Sequence, residues 1–262
     1  MLVGLAVTTP FALVSGPLPD ITPTLAVWLT ASGLGGVIGL MFMYRGLRIG
    51  KIGVVLALAS TEGAIAAIIS VVAGESLTLA SALVLGVIAI GVAIVALAGG
   101  EAAEPAEDEP AAVDASARPR TAASLERRAA LFGAAAAIAF GFSVYGTAMA
   151  GKSLPLVLAV MPARVVGVAL VFLPMAVAGR LRMTRRAAPL VVIVGLCEVL
   201  GNASYILGAR ESIAIASVLA SQFAAFAAVA AFFLFRERLT LHQRSGFVAI
   251  AVGVAVLTIV RG

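Results

Sequence analysis

Four residues at helical spacing carry the most informative chemistry in this sequence. Gly195, Glu198, Asn202 and Tyr205 follow one another at intervals of three, four and three residues, which place side chains on one face of an α-helix. A charged side chain costs about 2.5–3.5 kcal/mol at the centre of a membrane helix, so Glu198 should face a cavity or a partner. The carboxylate either carries out proton or substrate exchange there, or it belongs to a structural hydrogen-bond network between helices.

Two further ionisable residues lie inside apolar runs. Arg164 follows Pro155 by nine residues, about 13 Å along a helix at 1.5 Å per residue, so it lies well inside its run. Its guanidinium can hold the carboxylate or phosphate of a substrate bidentately, or it can be the fixed partner of Glu198 or Glu62. Glu62 itself is either the acidic side of a substrate site or a hydrogen-bonding group that packs helices together.

Small polar residues in neighbouring runs could line the same cavity. Ser and Thr are also common where helices pack against each other in lipid, and packing is the interpretation we favour. These candidate lining residues are Ser143, Thr147, Ser217, Ser221 and Gln222.

The residue counts exclude several classes of site. Cys197 and His242 are the single cysteine and the single histidine, so the chain cannot build an internal disulfide, a cysteine-based metal cluster or a Ser-His-Asp triad. Nothing in the sequence resembles a nucleotide-binding loop. We therefore expect no enzyme activity, no metal and no cofactor, and any transport should draw its energy from an ion or substrate gradient.

The elements that position these residues are predicted to be membrane-spanning helices. Hydrophobic residues make up 62% of the chain and charged residues 12%, against about 45–50% and 25% in soluble domains. A spanning helix needs about 20 apolar residues, and long runs without polar alternation exclude a barrel. Nine runs are candidates, the first of them short, at about 2–16, 25–44, 52–72, 78–98, 130–150, 155–178, 187–208, 213–235 and 243–260.

The sequence repeats itself at an offset of 162 residues. Gly-Glu-Ser-Leu-Thr-Leu from Gly74 returns as Arg-Glu-Arg-Leu-Thr-Leu from Arg236, and Gly91 returns as Gly253. We expect repeats at 1–99 and 124–262, joined by an acidic, disordered linker at 100–123 that is a spacer or, alternatively, a partner-binding tail. Because the run at 130–150 has no counterpart in the first half, we expect the native protein to begin one helix before Met1 and to contain ten helices.

Basic residues predict how the chain crosses the membrane. Repeats with an odd number of helices lie in opposite orientations, which makes this an inverted duplication. Arginine and lysine cluster in alternate loops, at 45–51, 118–128, 180–186 and 236–238, and these loops should be cytoplasmic. The other loops carry only Lys152 and Arg210. The net charge of +5 therefore reflects topology, and we expect no nucleic-acid partner.

Two five-helix halves that each close with a Gly-Glu-x-Leu type turn resemble the drug/metabolite transporter superfamily, specifically its EamA-like members. Arg236 stands where that family usually has glycine. The resemblance implies export or uptake of small metabolites, often amino acids or amphipathic compounds, across a bacterial plasma membrane. The residues that carry it are Gly74, Glu75, Leu77, Gly86 and Gly91 in the first half, and Arg164, Glu237, Leu239, Gln243, Gly246 and Gly253 in the second.

Glu75 and Glu237 are expected to have a structural role. Each falls at the turn before the last helix of its half, where a carboxylate stabilises the positive N-terminus of that helix by about 0.3–1 kcal/mol.

Together these features predict an all-α integral membrane protein, an inverted five-helix repeat with about nine transmembrane helices. Its predicted function is secondary transport of a small molecule through the lipid bilayer, with protons coupled through Glu198 or Glu62. The alternative is a lipid or polyprenyl-phosphate flippase, which an amphiphile-sized cavity open to lipid would favour. A non-transporting membrane scaffold or degenerate paralogue is the alternative from another class, and a core packed shut by alanine and leucine would favour it.

Overall fold

The computed structural model describes residues 1–15, 20–50, 52–102, 119–179 and 187–222, together with 245–246, 248–250, 252–253 and 256. Within these residues the chain is all-helical and contains no strand, which confirms the predicted fold class at this level. The α-helices are α1 Leu2–Val14, α2 Pro23–Leu47, α3 Ile52–Ala59, α4 Glu62–Val72, α5 Leu79–Ala102, α6 Pro119–Ser153, α7 Leu156–Gly167, α8 Leu173–Val177, α9 Ala188–Glu211 and α10 Ile213–Ala220. A π-helical turn, Val168–Phe172, joins α7 to α8.

Five helical stretches of the described chain are long and apolar enough to cross a membrane. They have mean hydropathies of 1.7 to 2.4, and about 20 apolar residues suffice to span a bilayer. Two shorter apolar helices, Leu2–Val14 and Leu79–Gly91, accompany them. These features indicate a multi-pass membrane protein. The five stretches are Pro23–Leu47, Val54–Val72, Ser124–Ser153, Leu156–Val177 and Ala188–Glu211.

The apolar side chains of α9 show that the outer surface of the bundle suits lipid. Ile193, Val194 and Leu200 are each more than half exposed. A helix that is apolar all round and still exposed would be unstable in water, because each exposed side chain forgoes the stabilisation of about 1.5–3 kcal/mol that full burial would give. In a bilayer the same side chains face hydrocarbon and incur no such penalty.

Two of the predicted runs are not regular helices. The run at 52–72 is broken between α3 and α4, where the hydroxyls of Ser60 and Thr61 donate to the carbonyls of Ala57 and Leu58 at 2.8 and 2.7 Å. Such local hydrogen bonds compete with the helical ladder. The run at 155–178 contains the π-helical turn, and turns of this kind are frequent at functional sites.

The helices on either side of the predicted linker, 100–123, extend into it. Helix α5 continues to Ala102 and α6 begins at Pro119, whereas 103–118 lie outside the described residues. Of the last two predicted spans, α10 and the few positions from 245 onwards are described. The nine-helix inverted repeat therefore stays a prediction.

The chain divides into two compact units. Unit 1 comprises Met1–Gly39, Gly63–Glu75 and Ala139–Ala220, so it draws on both halves of the sequence. Small residues let its helices approach closely, as expected for packing in lipid: Gly33 faces α7 and Gly35 faces α6. Its two buried clusters contain Leu25, Ala150, Leu154, Ala159, Val160 and Ile206, and Ala66, Tyr145, Ala148, Ala209, Ile213 and Ala216.

Unit 2 comprises Leu40–Glu62, Ser76–Ile138 and Ser221–Gly262. Its α3 packs on α5, with Val55 and Ile88 fully buried. The two repeat-related glycines lie at one helix contact: a Cβ on Gly91 would lie 3.0 Å from the Gly246 carbonyl oxygen, and a Cβ on Gly253 would lie 2.5 Å from Ile88. Glycine at both positions therefore allows the two backbones to approach.

Candidate functional site

An ion pair between Arg164 and Glu198 lies in the middle of two apolar spans of unit 1. Arg164 is the ninth residue of the 22-residue stretch Leu156–Val177, and Glu198 is the eleventh residue of the 24-residue helix Ala188–Glu211. Nη1 of Arg164 contacts Oε1 of Glu198. Of the partners considered for Arg164 from the sequence, the structure thus provides Glu198.

The two side chains differ strongly in exposure. Arg164 is 2% exposed, whereas the side chain of Glu198 is 39% exposed. The guanidinium is therefore fixed inside the bundle, and the carboxylate retains access to its surroundings. The amino group of Met1 also lies 3.6 Å from Oε2 of Glu198.

Helix α1 forms the wall of the site opposite α7 and α9. Gly4 is buried against the Arg164 side chain, and a Cβ at this position would lie 3.0 Å from Nε and 3.2 Å from Cζ. One turn later Thr8 is also buried: its hydroxyl donates to the Gly4 carbonyl at 2.8 Å and contacts Sδ of Met161 at 3.4 Å. The absent side chain of Gly4 therefore creates the space that the guanidinium occupies.

The Arg164 guanidinium has more donors than partners. Nε and Nη2 are both buried, and neither has a hydrogen-bond partner among the residues that the structure describes. An unsatisfied buried donor costs about 1–3 kcal/mol, and more when it is charged. These two nitrogens are therefore left unsatisfied in the interior of the unit.

The remainder of the predicted stripe on α9 serves different purposes along its length. Gly195 is buried and packs against Val3 of α1. The side-chain amide of Asn202 donates to the Glu198 carbonyl of its own helix at 2.8 Å. The hydroxyl of Tyr205 donates to the Val144 carbonyl of α6 at 3.0 Å and lies 3.1 Å from Oγ of Ser217 on α10. Glu198 alone among these side chains reaches Arg164.

The hydroxyls of Ser143 and Thr147 join α6 to α2, as the packing interpretation predicts. Ser143 donates to the Ser32 carbonyl at 2.7 Å, and Thr147 donates to the Ser143 carbonyl at 2.8 Å. Because Thr147 has one hydroxyl hydrogen, Ser32 is the donor in the 2.6 Å bond between their oxygens. Ser32 is fully buried but sits in a run of small residues, which gave no sign of its importance in the sequence.

Ser221 and Gln222 are both buried just after α10 ends at Ala220. They belong to unit 2, as does Glu62. Glu62 is half-buried at the first position of α4, directly after the break at Ser60–Thr61, and has no hydrogen-bond or ion-pair partner in the described part of the chain. Its role as a coupling group stays a prediction.

Glu75 lies at the expected turn and has a structural role, but the expected helix is wrong. Its carboxylate accepts hydrogen bonds from the Ser212 hydroxyl and from the Ala214 N–H at 3.3 Å, so it caps α10 instead of α5. The α5 N-terminus has its own cap, because Thr78 accepts from the Ser81 N–H at 3.2 Å. Glu237 lies outside the described residues.

Arg210, which the sequence marked only as a loop charge, clamps the turn between α6 and α7. Its Nε donates to the Gly151 carbonyl at 3.1 Å and its Nη2 to the Leu154 carbonyl at 3.4 Å. These carbonyls lie at the C-terminal end of α6, where carbonyls lack helical partners. A cation there also interacts favourably with the partial negative charge at the C-terminus of the helix. Arg210 therefore fixes the entry of the chain into α7, the helix that carries Arg164.

An apolar groove of about 610 Å³ also lies in unit 1, between α2 and α7. The hydroxyl of Thr30 on its wall already donates to the Ala26 carbonyl at 2.8 Å, so the groove offers almost no polar group to a ligand. Its walls are Ile21, Leu29, Thr30, Leu34, Leu154, Leu158, Met161, Pro162, Val165 and Val166.

The sequence matches no family model and no curated protein. Nine chains of solved structures match. For one of them, a crystal structure of a protein, the match covers 98% of this chain and 84% of the other, with a TM-score of 0.68 and 16% sequence identity. At this identity the likeness shows the fold alone. The arrangement of helices described above is thus one that a solved protein also adopts.

Proposed function

We propose that this chain is a secondary transporter that exports small metabolites, among them amino acids or amphipathic compounds, by alternating access between two inverted repeats. The observation that carries the proposal is the Arg164–Glu198 pair, halfway along two spans. Charged side chains at that depth are expensive and mark substrate or ion pathways. The resemblance to EamA-like transporters of a bacterial plasma membrane, seen in the Gly74–Leu77 turn, agrees with this function.

The unequal exposure of the pair suggests how each residue would act. Arg164 is always charged and is buried, so it is the fixed element. Glu198 is partly exposed, so it is the group through which we propose that protons are coupled. Besides Arg164, the amino group of Met1 is the charged group that faces Glu198 from the described parts of α1, α7 and α9. Release of Glu198 from Arg164 would couple proton movement to substrate movement.

A resistance screen tests the proposal. Cells expressing the wild type should survive higher doses of at least one toxic amino-acid analogue or amphipathic compound than cells with an empty vector. Glu198→Gln should lose this resistance at equal membrane expression, and Glu211→Gln, a change at the exposed end of the same helix, should keep it. Equal resistance in wild type and Glu198→Gln, or no protection against any compound, would overturn the proposal.

The apolar groove favours a second candidate function, movement of a lipid or polyprenyl phosphate. A groove lined by hydrocarbon side chains between two apolar helices suits an acyl or prenyl chain. Reconstituted protein should then transfer a fluorescent phospholipid between leaflets, and Leu158→Trp, which fills the groove, should slow this transfer. If the phospholipid moves between leaflets no faster than in protein-free vesicles, the flippase function is excluded.

A further inference from the structure

We propose that the Nε–Nη2 edge of Arg164 binds a small oxyanion, the carboxylate or phosphate group of the transported molecule. The inference rests on the proposed function, since it names the chemical class that the same site accepts. It implies that the guanidinium of Arg164 has two positions at which an anion can bind. One is filled by the protein's own carboxylate, and the donors of the other have no partner in the described part of the chain.

The geometry of the guanidinium separates the two positions. Nε and Nη2 lie on one edge of the planar group, and their N–H bonds point in parallel, which matches the two oxygens of a carboxylate or phosphate. Glu198 contacts Nη1, which does not belong to that edge. A ligand can therefore bind through Nε and Nη2 while the contact with Glu198 persists.

Burial distinguishes this edge from that of an arginine on a solvated surface, where water would satisfy the donors. Both nitrogens are inaccessible to solvent and have no hydrogen-bond partner within the described segments. Binding of an anion would therefore break no hydrogen bond of these nitrogens, but the groups packed around them must separate to admit it, as they would when the site opens in alternating access. Arginine at the end of a helix commonly satisfies such donors with carbonyls, as Arg210 does with Gly151 and Leu154. Arg164 lies in the middle of its membrane span, and no carbonyl of the described residues accepts from its Nε or Nη2.

Gly4 positions the guanidinium and gives the site a selective test. An added Cβ on Gly4 would lie 3.0 Å from Nε and 3.2 Å from both Cδ and Cζ, and these nearly equal distances place it over the face of the planar group and not at the Nε–Nη2 edge. A methyl group on residue 4 would therefore push the guanidinium out of its position and weaken binding at that edge. By contrast, an alanine Cβ at Gly201 of α9 would meet nothing within 4 Å.

The test is equilibrium binding to purified protein in detergent. Thermal unfolding is followed with increasing sodium acetate or sodium phosphate, with sodium chloride at equal ionic strength as the reference. At least one oxyanion should raise the wild-type midpoint saturably, and the two salts distinguish carboxylate from phosphate. Arg164→Lys keeps the charge but loses the fork and should bind roughly ten- to hundredfold more weakly. Gly4→Ala should show a similar loss, and Gly201→Ala should bind like wild type.

Failure to observe a saturable shift beyond that of chloride, or unchanged affinity in both Arg164→Lys and Gly4→Ala, would overturn the inference. Should neither variant fold, wild-type protein with ¹⁵N-labelled arginine decides, because a bound oxyanion should shift one buried Nε–H resonance and the absence of any shift would refute binding. These binding measurements need no ion or substrate gradient across a membrane, so their result is independent of the transport assay. Oxyanion binding in a protein that confers no resistance would refute the proposed function only, and Glu198-dependent resistance without oxyanion binding would refute the inference only.

Discussion

At the scale of single residues, a guanidinium and a carboxylate in apolar helices constrain each other. Arg164 cannot lose its charge and has little access to water, so its stability in the bundle depends on the groups that accept its hydrogen bonds. Glu198 is the acceptor that the structure provides. Tyr205, in contrast, is committed to bonds with α6 and α10, and Asn202 to its own helix.

This dependence predicts graded losses of stability at position 198. Glu198→Ala leaves Nη1 of Arg164 without its acceptor and should lower the free energy of unfolding by about 1–3 kcal/mol. Glu198→Gln keeps an oxygen at the same place and should lose less. Chemical unfolding in mixed micelles measures both values, and an alanine variant as stable as wild type would show that the pair contributes nothing to folding.

At the scale of helices, close backbone contact decides which elements pair. Gly146 of α6 faces α2, where an added Cβ would lie 2.8 Å from the Trp28 carbonyl oxygen and 3.0 Å from the Ser32 nitrogen. The hydrogen bonds of Ser143 and Thr147 to Ser32 depend on this approach. Backbone atoms cannot move aside as a flexible side chain could.

Gly146→Ala should therefore force α2 and α6 apart and destabilise the protein by about 1–3 kcal/mol, the usual cost of overpacking. Gly201→Ala is the matched control, because its Cβ enters open space and should change stability little. The midpoint of thermal unfolding measures both variants. Equal midpoints for the two would mean that the α2–α6 contact can relax at no cost.

At the scale of the whole molecule, the charge of the loops predicts orientation in the membrane. Lys152 is exposed at the end of α6 and should face the outside, and Arg48 is exposed after α2 and should face the cytoplasm. After replacement of Cys197 by serine, Lys152→Cys should react with an impermeant maleimide in intact cells. Arg48→Cys should react only after permeabilisation, and labelling of Arg48→Cys in intact cells would contradict the inverted arrangement.

Much of the candidate site follows from the sequence because helical spacing is local. An interval of three or four residues fixes which side chains share a face, so Glu198, Asn202 and Tyr205 could be grouped without coordinates. Their individual partners could not, since α1, α6 and α7 are distant in sequence. The contact of Gly4 with Arg164 and the fully buried Ser32 left no sequence signal for the same reason.

By itself the sequence determined that the chain is helical and suited to a membrane, because hydropathy and run length depend only on composition along the chain. It also restricted the ionisable groups inside the predicted spans to a few candidates. The tertiary structure alone decided that Arg164 pairs with Glu198, that Glu75 caps α10 instead of α5, and that two guanidinium nitrogens stay without a partner in the described part of the chain. The physical reason is that a buried polar group is satisfied by whichever neighbour the packing of helices brings within hydrogen-bonding distance, and that neighbour can lie anywhere in the sequence.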